Sequence, residues 1–362
     1  MKIFIVYASA GAGHRKAAEA IFNSFRNKAS SDDIKLIDIL DKTNFLFAKA
    51  YAGGYQFLIN HAVWLWAWLF NLTAAKGSSF IAAAIRTIDI LNARRFSEFI
   101  IREQPDIVIS THFMPPEILT YLKLQGKIKS RLITVITDFG VHPLWVSRGT
   151  DTYAVASSLS KEYLIREGVK AEDIRESGIP IEEKFSKGYD KQAERKKIGL
   201  EPDKFTLLIT TGSFGIGPVE EIIACLHKEM QIIVVCAKNA KLYKILQERM
   251  FPNTRIFAFV DNINELMAAS DIVIAKPGGL TTSEILSMEL VPVFISPIPG
   301  QETHNLMTMQ QFGIGKYAAS IENIKKIVLD YRDNPDKMKR EKEIIKKVKK
   351  PYAAEDLYNA IR

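Results

Sequence analysis

Residues 274–284, with the sequence Ile-Ala-Lys-Pro-Gly-Gly-Leu-Thr-Thr-Ser-Glu, contain the pattern that most clearly indicates the fold. The apolar run before Lys276 is typical of the end of a buried strand. The two glycines permit a tight turn, and the Thr-Thr-Ser that follows favours the start of a helix. The free N–H groups at the start of such a helix can bind a diphosphate. Glu284, one turn into the predicted helix, is placed to accept hydrogen bonds from a ribose diol.

The same alternation of strand and helix extends over the whole chain. The predicted strands are residues 3–7, 34–40, 106–110, 132–137, 152–156, 205–211, 231–236, 255–259, 271–275 and 291–295. Strands separated by helices are typical of βαβ units and parallel sheets. A polar, lysine-rich stretch at 185–199 interrupts the series. We therefore predict an α/β protein of two doubly wound, Rossmann-like domains, with ligands bound in a cleft at the carboxyl ends of the strands.

The length of 362 residues agrees with two domains. We place the first at 1–185 and the second at 186–340, and expect the C-terminal helix at 341–362 to pack back on the first. The composition, 47% apolar and 25% charged, excludes a disordered, collagenous or disulfide-scaffold chain. Cys225 and Cys236 have no spacing typical of a metal site, and we expect buried free thiols.

Two segments suggest contact with a membrane surface. Residues 45–80 are crowded with aromatic side chains, among them Trp64, Trp66 and Trp68. This stretch is either an insertion packed on the sheet or an interfacial segment, and we favour the second interpretation. The net charge is +8, and residues 325–350 contain 11 basic and 5 acidic residues. That stretch is either a solvated helix face or a surface for anionic headgroups.

We find neither a signal peptide nor an apolar run long enough to span a bilayer.

Three further loops carry candidate site residues. Residues 9–14, Ser-Ala-Gly-Ala-Gly-His, follow the first strand and open a helix, so that a ligand can approach the backbone at Gly11 and Gly13. His14 is a candidate base near neutral pH. Residues 210–217, Thr-Thr-Gly-Ser-Phe-Gly-Ile-Gly, form a similar glycine turn in the second half. Residues 297–305, Pro-Ile-Pro-Gly-Gln-Glu-Thr-His-Asn, combine amides and a carboxylate suited to a hydroxyl-rich ligand.

These motifs together resemble the processive diacylglycerol glycosyltransferases and monogalactosyldiacylglycerol synthases of glycosyltransferase family 28. That family is related to the lipid-linked N-acetylglucosaminyltransferase of peptidoglycan synthesis. The resemblance also includes Thr137-Asp138-Phe139 with His142-Pro143 and Trp145, Gly178-Ile179-Pro180 and Lys238-Asn239. The chain departs from the family at Ala237 and Thr211, where glycine is usual.

The resemblance implies the GT-B fold and inverting transfer of a hexose from a UDP-sugar, UDP-glucose or UDP-galactose, to a diacylglycerol-type lipid in glycolipid synthesis. His14 would be the base, with Asp138 orienting it or sharing its role. The implied donor-binding residues of the second domain are Gly212, Ser213, Phe214, Lys238, Asn239, Val260, Pro277, Gly278, Gly279, Thr281, Glu284, Gln301, Glu302 and Asn305. The implied acceptor and membrane residues of the first are Gly11, Gly13, His112, His142, Trp145, Trp64, Trp66 and Trp68.

The substrates imply a peripheral, monotopic enzyme at the cytoplasmic face of the cell membrane, with an anionic lipid surface as a partner and no nucleic acid. No Asp-x-Asp triplet occurs, so we expect no metal and no other cofactor. Two other enzyme classes stay open, an N-acetylglucosaminyltransferase acting on a polyprenyl-linked acceptor and a sugar-nucleotide epimerase. A nucleotide-binding or membrane-docking protein without activity is a third alternative. The sequence separates neither glucose from galactose nor one sugar added from several.

Overall fold

The computed structural model of the chain describes residues 1–29, 31–74, 79–210, 212 and 217–361. They form two compact units. Unit 1 comprises Met1–Glu183, Ile298–His304 and Tyr352–Arg362, and unit 2 comprises Lys184–Pro297 and Asn305–Pro351. The first boundary lies next to the predicted one. Two stretches differ from the predicted division, because residues 298–304 belong to unit 1 and residues 341–351 belong to unit 2.

Unit 1 is built on a parallel sheet of six strands in the order β2-β1-β3-β4-β5-β6. Its strands are β1 (Lys2–Tyr7), β2 (Asp33–Asp38), β3 (Ile107–Ser110), β4 (Arg131–Val135), β5 (Thr152–Ala154) and β6 (Ile174–Arg175). Within β1, Phe4 and Val6 belong to one buried cluster, and Ile3 and Ile5 belong to another. Successive side chains of a strand point to opposite faces, so the two clusters cover both faces of the sheet. Strands buried on both faces appear in a sequence as continuous apolar runs.

The helices described in unit 1 cover both faces of this sheet. They are α1 (Ala12–Lys28), α2 (Phe45–His61), α3 (Val63–Ala74), α4 (Ser79–Asn92), α5 (Arg94–Glu103), α6 (Met114–Leu124), α7 (Ser158–Arg166) and α16 (Ala353–Ile361). The C-terminal α16 lies on α1, where the ring of Tyr358 meets Phe25 edge to face at 5.1 Å. On the opposite face, Phe96 of α5 and Ile118 of α6 pack in the cluster of Phe4. Each buried side chain of this size contributes about 1.5–3 kcal/mol.

The described residues of the aromatic stretch form helices α2, α3 and the start of α4, between β2 and β3, and residues 75–78 lie outside the described residues. No residue of α2 or α3 is fully buried, and the structure describes every residue of these two helices. A helix that is apolar nearly all round is expected to be covered by protein or by lipid. Among the described residues, no helix combines the length and the apolar character needed to cross a membrane.

Unit 2 repeats the architecture with a parallel sheet in the order β12-β11-β10-β7-β8-β9. Its strands are β7 (Thr206–Thr210), β8 (Gln231–Val235), β9 (Thr254–Phe257), β10 (Ile272–Ala275), β11 (Val291–Phe294) and β12 (Lys316–Tyr317). Its described helices are α8 (Lys191–Lys197), α9 (Val219–Leu226), α10 (Ala240–Arg249), α11 (Ile263–Ala268), α12 (Gly279–Ser287), α13 (Gln301–Phe312, whose first turn belongs to unit 1), α14 (Ile321–Asp333) and α15 (Pro335–Val348). The sequence pattern did not predict β6 and β12, since a strand of two residues has no readable periodicity.

The lysine-rich stretch that separates the halves of the sequence is part of the framework of unit 2. The buried guanidinium of Arg195 on α8 donates to the carboxylate of Asp271 at 2.6 Å. Lys191 donates to the same carboxylate at 2.8 Å, and so does the backbone N–H of Thr206. Because Asp271 directly precedes β10 and Thr206 begins β7, these bonds tie α8 to the start of two neighbouring strands.

Candidate active site

His14 lies in the first turn of α1, after the glycine turn that follows β1. Its Nδ1 atom lies 2.8 Å from the carbonyl oxygen of Thr111 and 2.9 Å from the hydroxyl oxygen of Thr137. Thr111 follows β3 and Thr137 follows β4, and β1, β3 and β4 are consecutive in the sheet. The carboxyl ends of three parallel strands therefore converge on one imidazole ring, at the edge where ligands of doubly wound sheets bind.

These contacts determine which ring nitrogen carries the hydrogen. A carbonyl oxygen only accepts, so Nδ1–H of His14 donates to Thr111 and the lone pair of the neutral ring lies on Nε2. A second bond holds the backbone, because the Thr111 hydroxyl donates to the carbonyl oxygen of His14 at 2.9 Å. An imidazole held in this way can accept a proton at Nε2.

The surroundings of His14 keep it neutral near pH 7. Burial lowers its pKa, while the charge of Asp138 and the hydrogen bond to Thr111 act in the opposite direction. Lowering the pKa of a base below the working pH leaves it unprotonated and ready to accept a proton. Asp138 follows β4 and is only 3% exposed, so its charge acts on the imidazole through a poorly solvated environment.

Two predicted acceptor residues adjoin the His14 ring. His112 meets it edge to face, with ring centroids 4.7 Å apart, and Trp145 lies at 6.0 Å. The Nδ1 atom of His112 accepts the backbone N–H of Met114 at 3.1 Å. Burial lowers the pKa of His112 well below its usual value, and the neighbouring His14 acts in the same direction. His112 is therefore a second neutral imidazole, and it forms part of the wall around His14.

The segment 298–304 lies against Asp138 within unit 1. The side-chain amide of Gln301 donates to both carboxylate oxygens of Asp138, at 3.0 and 2.9 Å. The carboxylate of Glu302 accepts the backbone N–H of Ile298 at 2.7 Å, which closes the turn. The resemblance implied donor contacts for Gln301 and Glu302, and the structure places Gln301 beside the candidate catalytic carboxylate.

His142, another predicted acceptor residue, links the loop after β4 to helix α3. Its Nδ1 accepts the N–H of Leu144 at 3.2 Å, and its Nε2 lies 3.3 Å from the carbonyl oxygen of Phe70. The rings of Phe70 and His142 are 4.4 Å apart. Burial lowers the pKa of His142 to about 4, although its bond to Phe70 acts in the opposite direction. His142 is thus neutral near pH 7, and its contacts connect it to α3.

The three tryptophans of α3 lie on two faces of the helix. Trp64 and Trp68 are 74% and 56% exposed. Residues four apart share a helix face, whereas residues two apart are turned by about 200°. Trp66 points the other way, and its Nε1–H donates to the carbonyl oxygen of Pro299 at 3.1 Å. The tryptophans therefore differ in their contacts, although the sequence analysis assigned all three to one interfacial segment.

Most of the predicted donor residues of unit 2 lie at one edge of its sheet. Gly212 follows β7, Lys238 and Asn239 follow β8, Val260 follows β9, and Pro277 and Gly278 follow β10. These four strands are neighbours in the order β10-β7-β8-β9, so their carboxyl ends adjoin. Gly278 is the N-cap of α12, on which Gly279, Thr281 and Glu284 lie in the first two turns. Ser213 and Phe214 lie outside the described residues, and Asn305 is buried on α13.

The departure at Ala237 has a visible backbone consequence. Ala237 has a φ of +50°, a left-handed conformation that glycine adopts without strain, which explains why glycine is usual there in the family. The turn is closed nonetheless, because the side chain of Asn239 caps α10 by accepting the N–H of Leu242 at 2.9 Å. The loop is therefore formed with alanine in the left-handed conformation.

Several residues of the site carried no individual signal in the sequence. Thr111, Phe70 and Gly140 are common residue types outside any glycine-rich turn. Only the tertiary structure brings Thr111 to His14, Phe70 to His142 and Gly140 to segment 298–304. The described residues contain no cluster of three or more His, Cys, Asp or Glu side chains suited to a metal ion.

Comparison with family models assigns both halves of the chain. Residues 14–181 match the model described as monogalactosyldiacylglycerol (MGDG) synthase. Residues 206–357 match the glycosyltransferase family 28 C-terminal domain. The first match covers β2 to β6 of unit 1, and the second covers β7 to β12 of unit 2.

Known proteins similar to the chain agree with these matches. A processive diacylglycerol beta-glucosyltransferase of Bacillus cereus (strain ATCC 10987 / NRS 248) is 30% identical, over 99% of this chain and 93% of that protein. Another, of strain B4264, is 32% identical over 86% of this chain and 80% of that protein.

Among solved structures, MurG of Acinetobacter baumannii has a TM-score of 0.62 at 14% identity, covering 99% of both chains. A UDP-N-acetylglucosamine 2-epimerase of Listeria monocytogenes, described as putative, has a TM-score of 0.64 at 15% identity, covering 99% of this chain and 95% of that one. At such identities the structures show the fold alone, and they confirm the predicted α/β GT-B fold.

Proposed function

The chain belongs to the diacylglycerol glycosyltransferases of glycosyltransferase family 28, and we propose that it transfers a hexose from a UDP-sugar to the hydroxyl group of a diacylglycerol-type lipid. The observation that carries the proposal is the state of His14. Its Nδ1–H is committed to Thr111, and its lowered pKa leaves Nε2 unprotonated. A base of this kind is what the attack of a lipid hydroxyl requires.

The proposed step is a single displacement at the anomeric carbon. Nε2 of His14 takes the proton of the lipid hydroxyl while its oxygen forms a bond to C1 of the sugar. The bond between C1 and the diphosphate oxygen breaks, and UDP leaves with the electron pair. Attack from the side opposite the leaving group inverts C1, so an α-linked UDP-sugar gives a β-glycoside. The printed names of the relatives, beta-glucosyltransferases, support this stereochemistry.

Unit 2 supplies the groups that we propose for the donor. The N-terminus of α12, with Gly278 as its N-cap, directs free N–H groups and the positive end of the helix dipole towards the developing charge of the diphosphate. Glu284, farther along α12, would accept hydrogen bonds from the ribose hydroxyls. We propose that the N-terminus of α12 stabilises the negative charge of the leaving UDP without a metal ion or another cofactor.

For the transferred sugar we propose glucose. Relatives that cover most of the chain are glucosyltransferases by name, while the family model that matches unit 1 is described as a galactolipid synthase. Glucose and galactose differ in the configuration of one hydroxyl group. A site that forms a hydrogen bond to that group distinguishes the two by the cost of leaving a buried partner unpaired.

We also propose that the protein works as a peripheral protein at the cytoplasmic face of the membrane, where a lipid hydroxyl and a UDP-sugar meet. Trp64 and Trp68 are exposed on unit 1 and would bury their rings at the headgroup level. The basic residues of α15, on unit 2, would add about 1 kcal/mol each near an anionic surface. Added salt weakens that attraction.

The test is an assay with radiolabelled UDP-glucose, UDP-galactose and UDP-N-acetylglucosamine, and vesicles that contain diacylglycerol or a polyprenyl phosphate. We expect a β-hexosyl diacylglycerol from UDP-glucose, and its loss in His14→Ala. Product formed only from UDP-N-acetylglucosamine and the polyprenyl lipid would support the alternative transferase. Conversion of the nucleotide sugar without any lipid product would support an epimerase. The likeness to epimerases concerns the fold, and the more similar relatives are lipid glucosyltransferases.

A further inference from the structure

Helix α3 has an inner face that is distinct from its exposed one. Trp66, Phe70 and Thr73 follow the spacing of one helix face, and all three are half-buried. The rings of Trp66 and Phe70 are 6.2 Å apart. A face that serves only to enter a lipid surface has no need of specific polar contacts with protein, so the partners of these residues indicate a second role.

Phe70 packs against a glycine that the segment 298–304 requires. Gly300 has a φ of +87°, and a Cβ atom built on it would overlap the Phe70 ring. The same ring lies 4.4 Å from the ring of His142 and 5.4 Å from that of His304. Phe70 is therefore enclosed between the loop after β4 and this segment, and its position determines how closely the two approach.

Trp66 makes a directional contact with the same segment. Its Nε1–H donates to the carbonyl oxygen of Pro299 at 3.1 Å, and Tyr55 of α2 meets the indole ring edge to face at 5.2 Å. The tyrosine thus holds the orientation of the indole, and the indole anchors the backbone two residues before Gln301.

The far side of the segment reaches the candidate catalytic residues. Gln301 donates to both oxygens of Asp138, whose charge acts on His14. A Cβ atom at Gly140 would overlap the backbone of His304, so the loop that carries Asp138 lies directly on the end of the segment. Pro299 and Gly300 contact α3, Gln301 contacts Asp138, and His304 contacts Gly140.

We infer that Trp66 and Phe70 are positioning residues, which hold segment 298–304 so that Gln301 engages Asp138 beside His14. This inference rests on the proposed function, since it gives the inner face of α3 a part in turnover and not in membrane binding. The exposed and inner faces of one helix then have separate tasks.

The experiment compares Phe70→Leu and Trp66→Phe with wild type. Phe70→Leu removes the ring that faces Gly300, and Trp66→Phe removes the donor to Pro299 while it keeps an aromatic ring. Phe99→Leu is the matched control, because it makes the same change at a half-buried phenylalanine that stacks on Phe4. Three quantities are measured: hydrogen exchange of the segment's amides, kcat at saturating donor and lipid, and vesicle binding.

We expect the exchange of the amides in 298–304 to accelerate in both variants, while that of β4 does not change. The His304 N–H is protected by its bond to the carbonyl oxygen of Gly300 at 2.9 Å, and the Ile298 N–H by Glu302. Because a small misplacement near the reacting atoms is costly, kcat should fall about 10–100-fold in Phe70→Leu. The fall should be smaller in Trp66→Phe, and vesicle binding should stay unchanged in both variants.

Unchanged exchange in both variants overturns the inference, and so does unchanged kcat in variants whose segment has become mobile. A decrease of similar size in Phe99→Leu also overturns it, because the effect would then be general loss of packing. If wild type transfers no hexose to lipid, the proposed function has failed. The exchange data would still decide whether Trp66 and Phe70 hold the segment.

Discussion

Gln301 and Asp138 are 163 positions apart in the chain, yet the Gln301 amide donates to both carboxylate oxygens of Asp138, at 3.0 and 2.9 Å. Asp138 is almost completely buried, and a buried carboxylate needs such donors to keep its charge. Burial lowers the pKa values of His14 and His304, and the charge of Asp138 opposes that shift, so the contact also affects the protonation of the surrounding imidazoles.

Gln301→Glu should make protein stability depend on pH. Two carboxylates in contact raise each other's pKa, so the folded variant holds a proton more tightly than the unfolded chain. The stability relative to wild type should be close to normal below about pH 4 and should fall as the pH rises through the raised pKa. Thermal unfolding across this range tests the prediction, with Gln301→Met as the uncharged control. A constant difference in melting temperature would contradict it.

Asp138→Asn should shift the acid limb of the rate profile to lower pH. The charge of Asp138 raises the pKa of His14, so removing it lowers that pKa further and keeps the base unprotonated in more acidic solution. The measurement is kcat against pH for wild type and the variant. His14→Ala serves as the reference, with an expected loss of about 10²–10⁴ and near-normal UDP affinity. Loss of activity at every pH in Asp138→Asn would contradict a role for Asp138 that is limited to its charge acting on His14.

Glu284→Ala should weaken UDP binding. If its carboxylate accepts hydrogen bonds from the ribose, their loss costs about 1.5–3 kcal/mol. Titration calorimetry with UDP gives the affinity directly. Glu322→Ala, in the first turn of α14, removes the same charge outside the proposed site and should bind UDP normally. Equal affinity of Glu284→Ala and wild type would exclude Glu284 as a ribose ligand.

The double variant Trp64→Ser, Trp68→Ser should bind vesicles weakly and retain UDP affinity. Both side chains are exposed, so their replacement removes apolar area that would enter the lipid and little that packs in the protein. Co-sedimentation with anionic and neutral vesicles at low and high salt separates this apolar contribution from that of α15. Tyr121→Ser, at an exposed aromatic residue of α6, is the control. Sedimentation of the double variant like wild type would assign the exposed rings another role.

Acid should destabilise the protein partly through His142. In the unfolded chain its pKa is about 6.5, whereas burial lowers it to about 4 in the folded protein. The neutral form therefore contributes stability that is complete above about pH 6.5 and is lost as the pH falls towards 4, roughly 3 kcal/mol in all. Urea unfolding of wild type and His142→Gln at several pH values tests this. The variant should be less stable near neutral pH and less sensitive to acid, and parallel profiles would contradict the assignment.

Local sequence patterns predicted the described strands except β6 and β12, and they placed candidate residues where those strands end. Runs such as Ile3–Ile5 read as strands because both faces of the sheet are buried. A helix begins within each of the glycine motifs 9–14 and 274–284, but α12 begins at Gly279 with Gly278 as its N-cap, so the predicted capping by Thr281, Thr282 and Ser283 is wrong. The resemblance to family 28 is confirmed by the family models and the relatives. The resemblance rests on motifs in both halves of the chain, and each motif is a short run of neighbouring residues.

The aromatic stretch shows the limit of such patterns. Alternate tryptophans indicated an unusual surface, but only the formed helix separates the exposed Trp64 and Trp68 from Trp66, which donates to Pro299.

The division of the chain into two units shows the same limit of sequence patterns. Segment 298–304 follows a strand of the second sheet and was expected to stay in that domain, but its contacts with Phe70, Gly140 and Asp138 place it in unit 1.

The order of residues alone was enough to predict the longer strands, the glycine-rich motifs and the family, because these depend on periodicity and on backbone requirements a few residues apart. The hydrogen on Nδ1 of His14, the partner of Asp138 and the two faces of α3 depend on groups far apart in the chain, such as Thr111 and Gln301. Their proximity arises when parallel strands end at one edge and a distant segment folds against it. Burial at that edge then shifts the pKa values, which no run of neighbouring residues encodes.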